Sequence, residues 1–128
     1  SSLVGSEMCI RDSLICDDSL LARKKTKTAL NQLGVTQIFE AADGEQAIAA
    51  YKEHLPDITL MDIVMPKVDG VAALKAILEV NPKAKVVMAS SVGTQENLKE
   101  AIKAGAFDFL QKPISEEQIK TLISKAAR

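Results

Sequence analysis

Ile58-Thr59-Leu60-Met61-Asp62 (ITLMD) is the stretch that decides the fold. Its first four residues form an apolar run too short for a helix, and the run is continuous rather than alternating, as in a strand buried on both faces. Runs of the same kind recur at Leu14-Ile15-Cys16, at Val86-Val87-Met88-Ala89 and over residues 107–110. Gln37-Ile38-Phe39-Glu40 supplies a fifth, weaker and more edge-like.

Helical patterns lie between the runs. The first covers residues 19–33, with Ala22, Thr26, Ala29, Leu30 and Leu33 on one face and Gly34 placed for a left-handed C-terminal cap. The next three cover residues 44–54, 71–80 and 94–104, and they stop before Pro56, Pro82 and Gly105. The last, residues 115–126, opens with Ser115 and Gln118 at capping-box spacing, and Ile119, Leu122 and Ile123 form its apolar stripe. Five strands strictly alternating with five helices imply right-handed crossovers and a five-stranded parallel sheet covered on both faces, a doubly wound α/β fold.

Composition narrows the class. With 128 residues, 47% hydrophobic and 26% charged, the chain suits one ordinary globular domain. A net charge of −1 gives no basic field for direct nucleic-acid binding, and Lys24, Lys25 and Lys27 read as a solvated helix face. Cys9 and Cys16 make no disulfide framework, and Cys16 sits in an apolar run as a buried thiol would. No apolar run approaches the ~20 residues of a membrane span, and a secretion signal is not evident, so a cytoplasmic location is expected. Residues 1–12 have no clear period and are expected to form a non-native or disordered extension ahead of a domain at 13–128.

In such a sheet ligands bind beyond the carboxyl ends of the strands. There stand Asp17 and Asp18 after the first strand, Asp62 after the third, Ser90 and Ser91 after the fourth and Lys112 after the fifth. Crowded carboxylates repel, which a hard divalent cation relieves; Mg2+ suits one or two carboxylates completed by water, a backbone carbonyl and a phosphate oxygen. Lys112 adds a point charge for phosphate and the Ser90 hydroxyl a donor. Asp62 is the plausible nucleophile of a phosphoryl-transfer site. Each residue also has a plainer reading: Asp17-Asp18-Ser19 as a helix start, Asp62 as a turn residue, Ser90 as a cap, Lys112 as a surface lysine. Their coincidence at one end of successive strands favours the site. His54, the single histidine, sits at a helix end and builds no triad or metal site; Met61, Met65 and Met88 read as packing.

The segments LICDDS (14–19), LMDIVMPKVDG (60–70), VVMASS (86–91) and DFLQKP (108–113) resemble the motifs of response-regulator receiver domains of two-component signalling, from Ser13 nearly to the end. The resemblance implies a flavodoxin-like strand order 2-1-3-4-5, which comes with the family and not from these residues. It implies Asp62 as phosphoacceptor, with Asp17, Asp18, Asp62 and the backbone carbonyl of Val64 holding Mg2+. Lys112 would contact the phosphate, Ser90 and Phe109 would act as the switch, and Lys112-Pro113 would be a cis peptide. A sensor histidine kinase or phosphotransfer protein would donate the phosphoryl group. The surface of the fourth helix, fifth strand and fifth helix, here with Lys99, Glu100, Lys103, Asp108, Gln111 and Glu116, would then control binding to a downstream protein target or output domain, or a phosphorylation-dependent homodimer. Such a domain is no enzyme beyond its own phosphorylation and slow autodephosphorylation. It would stand alone, since the chain ends soon after the fifth helix, or be excised from a larger regulator.

Departures from the family pattern bear on rate and on the first strand. Val64 and Val92 replace residues that are polar in fast-hydrolysing members, so a long-lived phosphoryl-aspartate is expected. Asp12-Ser13 is polar where the first strand is normally apolar, and its start is expected to be frayed or altered. The alternative function is an aspartyl-phosphate-forming phosphatase of haloacid-dehalogenase type, which calls for a second Asp where Val64 stands.

Overall fold

The structure is a computed structural model that describes residues 10–91, 95–112 and 114–126. The expectations for residues 1–9, Val92 and the Lys112-Pro113 peptide lie outside the described residues. The elements alternate as the sequence pattern requires: β1 (Asp12–Cys16), α1 (Leu20–Gln32), β2 (Gln37–Ala41), α2 (Gly44–His54), β3 (Ile58–Asp62), α3 (Gly70–Val80), β4 (Val86–Ser90), α4 (Gln95–Ala104), β5 (Asp108–Gln111) and α5 (Glu116–Ala126). All neighbouring strands are parallel, in the order β2-β1-β3-β4-β5. This is the flavodoxin-like doubly wound sheet.

The continuous apolar runs follow from the two cores. Side chains alternate across a strand, and with helices on both faces each parity must be apolar. Leu14, Cys16, Met61, Val86 and Met88 face one core with Ala47 and Tyr51 of α2, Leu74 and Ile77 of α3 and Ala101 of α4. Ile15, Ile58, Leu60, Val87 and Leu110 face the other with Ala29 and Leu30 of α1 and Ile119 and Leu122 of α5. Each large side chain so buried contributes roughly 2 kcal/mol. The edge strand β2 is only partly covered, as its weaker pattern indicated. Among the described residues no helix is long and apolar enough to cross a membrane.

Polar side chains at the helix starts satisfy backbone N–H groups that lack an intrahelical partner. Ser19, Asp43 and Asp69 accept from the backbone of Ala22, Gln46 and Ala72. Ser115 and Gln118 cap reciprocally, as their spacing predicts. Gly34 takes φ 92, the left-handed conformation expected after α1.

The start of β1 is paired and not frayed. Asp12 pairs with Gln37 as the first residue of β1, and Ile10 is buried in the core. The physical reason lies just ahead of β3: the Asp57 carboxylate accepts from the backbone N–H groups of Arg11 at 3.0 Å and Asp12 at 3.1 Å. The strand start is therefore paired, although the buried hydroxyls of Ser13 and, in β3, Thr59 lack a hydrogen-bond partner. Ile10, Arg11 and Asp12 are thus tied to the sheet.

Gly70 places α3 directly against the end of β3. Its N–H donates to the Ile63 carbonyl at 2.8 Å. A Cβ at this position would lie 2.1 Å from the Asp62 carbonyl oxygen and 2.8 Å from the Ile63 Cα. Backbone cannot yield as a flexible side chain does, so Gly70→Ala is expected to cost about 2–3 kcal/mol of stability. Urea unfolding measures this; a midpoint equal to that of the unsubstituted protein would contradict it.

Candidate functional site

The register of the sheet assembles the site. Cys16 pairs with Met61, so Asp17 and Asp62 leave neighbouring strands together. Across β4, the Lys112 N–H donates to the Ser90 carbonyl at 2.7 Å, which carries the ladder beyond β5 and sets Lys112 at the same rim. Its Nζ then donates to Asp62 Oδ2 at 2.8 Å and to Asp17 Oδ2 at 3.1 Å. Asp18 completes the cluster: carboxylate oxygens of Asp17, Asp18 and Asp62 all lie within 4.8 Å of one another.

Asp17-Asp18-Ser19 starts a helix and also sets two carboxylates at the rim. Ser19 caps α1, and its N–H donates to Asp17 Oδ1 at 2.9 Å. That bond directs the other oxygen, Oδ2, at Lys112. Asp17 is buried and Asp18 exposed. Asp62 likewise accepts locally, from the Val64 N–H at 3.4 Å, while Val64 exposes its side chain. Ser90 is buried, and its Oγ donates to the Leu110 carbonyl at 3.5 Å, a bond at the limit of useful length. Phe109, on the edge strand β5, is 47% exposed. Lys99, Glu100, Lys103, Gln111 and Glu116 are exposed, whereas Asp108 is partly buried and paired with Lys125 at 3.0 Å.

Electrostatics separate the partners. Partial burial raises the Asp62 carboxyl pKa above its ordinary value; the Lys112 hydrogen bond and charge oppose this and Asp17 reinforces it. For Lys112, burial alone would lower the pKa, but the hydrogen bonds and charges of Asp62 and Asp17 outweigh it and the ammonium is held more firmly protonated. One lysine thus undercompensates a cluster of three carboxylates. An all-oxygen donor set of this charge fits a hard cation of the magnesium type. Cys16, beneath the cluster, is buried, and desolvation with the adjacent Asp17 pushes its thiol pKa upward, away from reactivity.

Sequence reasoning passed over several residues around the site. Arg23 hydrogen-bonds the Asp17 carbonyl, Glu40 pairs with Arg23, and Asp43 pairs with Lys67 of the loop after β3. The basic run of α1 and the acidic residue in β2 were visible, but their pairing depends on the β1–β2 register. His54, as expected, takes no part: it stacks on Phe39 with ring centroids 3.7 Å apart.

A parallel α/β sheet with an acidic cluster and a lysine at its carboxyl rim defines a class, and comparison with known proteins gives the family. The response regulator receiver domain model matches residues 13–124. The chain is 41% identical over 112 residues to the chemotaxis protein CheY of Bacillus subtilis, covering 88% of this chain and 93% of that protein. It is 38% identical over 115 residues to the chemotaxis protein CheY of Thermotoga maritima, covering 90% and 96%. Among solved structures it matches a chain of the CheX–CheY–BeF3–Mg2+ complex from Borrelia burgdorferi with a TM-score of 0.84 and 34% identity, over 90% of this chain and 87% of that one. The chain belongs to the response regulator receiver domain family, the CheY-like proteins of two-component signalling.

The raised Asp62 pKa has a consequence for stability. The native state holds this proton more tightly than the unfolded chain, so stability falls as pH rises from the unfolded carboxyl pKa through the folded one. Above the folded pKa the full cost of the charge is present. Asp62→Asn is therefore expected to raise the Tm of the magnesium-free protein by a few degrees, and Mg2+ to narrow the gap by stabilising the unsubstituted protein. Calorimetry checks both; a lower Tm for Asp62→Asn would contradict the assignment of Asp62 as the strained charge.

Proposed function

We propose that this domain is a phosphorylation switch: Asp62 accepts a phosphoryl group from a sensor histidine kinase or phosphotransfer protein, in a magnesium-dependent reaction in the cytoplasm. The observation that carries the reading is the placement of Lys112 Nζ within 2.8 Å of Asp62 and 3.1 Å of Asp17, beside a third carboxylate. In the transfer, an Asp62 oxygen forms the new bond to phosphorus, the bond from phosphorus to the donor nitrogen breaks, and its electron pair leaves with the donor imidazole. Asp17, Asp18, Asp62 and the Val64 carbonyl would hold Mg2+, which neutralises charge on the phosphoryl oxygens. Lys112 exchanges its Asp62 bond for a phosphoryl oxygen. The domain acts on no other substrate; it catalyses its own phosphorylation and slow dephosphorylation.

Ser90 and Phe109 are the proposed switch. The Ser90 Oγ gives up only a long bond to Leu110 when it turns toward the phosphoryl group, and the half-exposed Phe109 can then move inward. The surface of α4, β5 and α5 would then favour a different partner, a downstream protein, an output domain or a second copy, provided the partner binds the phosphorylated state more tightly. The similar chain from Borrelia burgdorferi was solved with BeF3 and Mg2+ in a complex of CheX and CheY, which supports both the magnesium and the protein-partner readings. Val64 offers no carboxyl where a phosphatase of haloacid-dehalogenase type needs one.

Incubation with Mg2+ and acetyl phosphate, followed by intact mass measurement, is expected to add one phosphoryl group to the protein and none to Asp62→Asn. No gain, or an equal gain in the variant, would overturn the reading. Val64 is 60% exposed beside Asp62, where an apolar side chain cannot orient an attacking water. Val64→Asn is accordingly expected to shorten the lifetime of the phosphorylated form several-fold, read from the decay of the added mass; an equal or longer lifetime would contradict the tuning role of Val64.

A further inference from the structure

We infer that Arg23 is a positioning residue for the acidic pocket, fixing the direction of Asp17 and Asp18 through the peptide that joins them. The inference rests on the reading of that pocket as a magnesium site. Arg23 lies in the first turn of α1, and its N–H donates to the Ser19 carbonyl at 3.1 Å. Its side chain is 14% exposed and reaches back to the chain ahead of the helix. There Nη1 donates to the Asp17 carbonyl oxygen at 2.6 Å and Nε to Glu40 Oε1 at 3.0 Å.

The Asp17 carbonyl belongs to the peptide between the two acidic residues. Holding it restricts the backbone rotation of Asp17 on one side and Asp18 on the other, and thus the directions of both side chains. The remaining groups of Asp17 are also engaged: its N–H donates to the Ala41 carbonyl at 3.0 Å, Oδ1 accepts from Ser19 and Oδ2 from Lys112. Asp18 is exposed, so its aim depends on the backbone. Arg23 anchors that backbone to β2, because Glu40 is paired in register with Ile15 of β1. Lys27, at 3.8 Å, adds a second cation to Glu40.

Arginine suits this place because its planar fork addresses two acceptors in fixed directions at once; lysine offers a single point of charge. Repulsion among the three carboxylates tends to splay the turn, and the fork resists this by holding the Asp17 carbonyl. Partners that orient metal ligands from outside the first layer typically change affinity 10–100-fold when removed.

The sign of the effect separates positioning from simple charge. As a nearby cation, Arg23 would repel Mg2+, and its removal would tighten binding. As a positioning residue, its removal loosens the turn and weakens binding. Calorimetric titration with magnesium alone is expected to give about tenfold weaker affinity for Arg23→Met and a partial loss for Arg23→Lys, which keeps the charge without the fork. In magnesium-free protein, the amides of Asp18 and Ser19 are expected to exchange faster in both variants. Unchanged or tighter Mg2+ binding with unchanged exchange would overturn the inference, as would a lower Tm with no movement of the magnesium midpoint. If Arg23→Met does not fold, Arg23→Lys decides on the same two readouts. Failure of the unsubstituted protein to take up Mg2+ would instead remove the magnesium reading, and the exchange rates would still report whether Arg23 holds the turn.

Discussion

The ammonium of Lys112 joins the carboxyl ends of three strands, and the pocket depends on that bridge. Asp17 follows β1, Asp62 ends β3 and Lys112 follows β5, with β4 lying between the last two. Only a sheet in this order and register brings them together. The bridge is incomplete as a charge balance: burial drives the Asp62 pKa upward even with Lys112 in contact. Bringing charges out of water costs more than one counter-charge returns, a familiar outcome for ion pairs that are partly buried. The resulting excess of negative charge suits a further, hard cation.

The surrounding fold keeps the strained cluster from relaxing. On the β1 side, Ser19 both caps α1 and orders Asp17, while Arg23, paired with Glu40, holds the Asp17 carbonyl. On the β3 side, Gly70 allows α3 to pack on the Asp62 carbonyl, and Asp69 caps that helix. Lys67 holds a left-handed backbone conformation in the same loop and lies 3.7 Å from Asp43, the cap of α2. Helix caps therefore recur next to the chemistry, because each helix that follows a strand of the pocket starts at the same rim. Stability and site geometry are coupled through these short loops.

Much of this was legible in the chain. Parallel strands covered on both faces need both parities apolar, so ITLM and VVMA declared themselves, and breakers such as Gly34 and Gly105 marked the helix ends. The pocket followed because its residues sit immediately after strands, where topology alone places them. The beginning of β1 was less legible. Asp12 and Ser13 look unlike a strand until Asp57, far along the chain, supplies one carboxylate oxygen that accepts from both the Arg11 and Asp12 amides. Arg23 and Glu40 were hidden for the same reason: an arginine in a basic run and a glutamate on an edge strand become partners only through register. The strand order itself came with the family resemblance.

The central claim is that the excess negative charge around Asp62 is arranged to receive a cation and a phosphoryl group together. A crystal structure with Mg2+ and beryllofluoride tests this most directly. The account predicts beryllium bonded to an Asp62 oxygen, Mg2+ in contact with Asp17 and Asp62, and Lys112 moved from Asp62 to a fluorine. Mg2+ bound elsewhere, or Asp62 unmodified with its Lys112 pair intact, would contradict it.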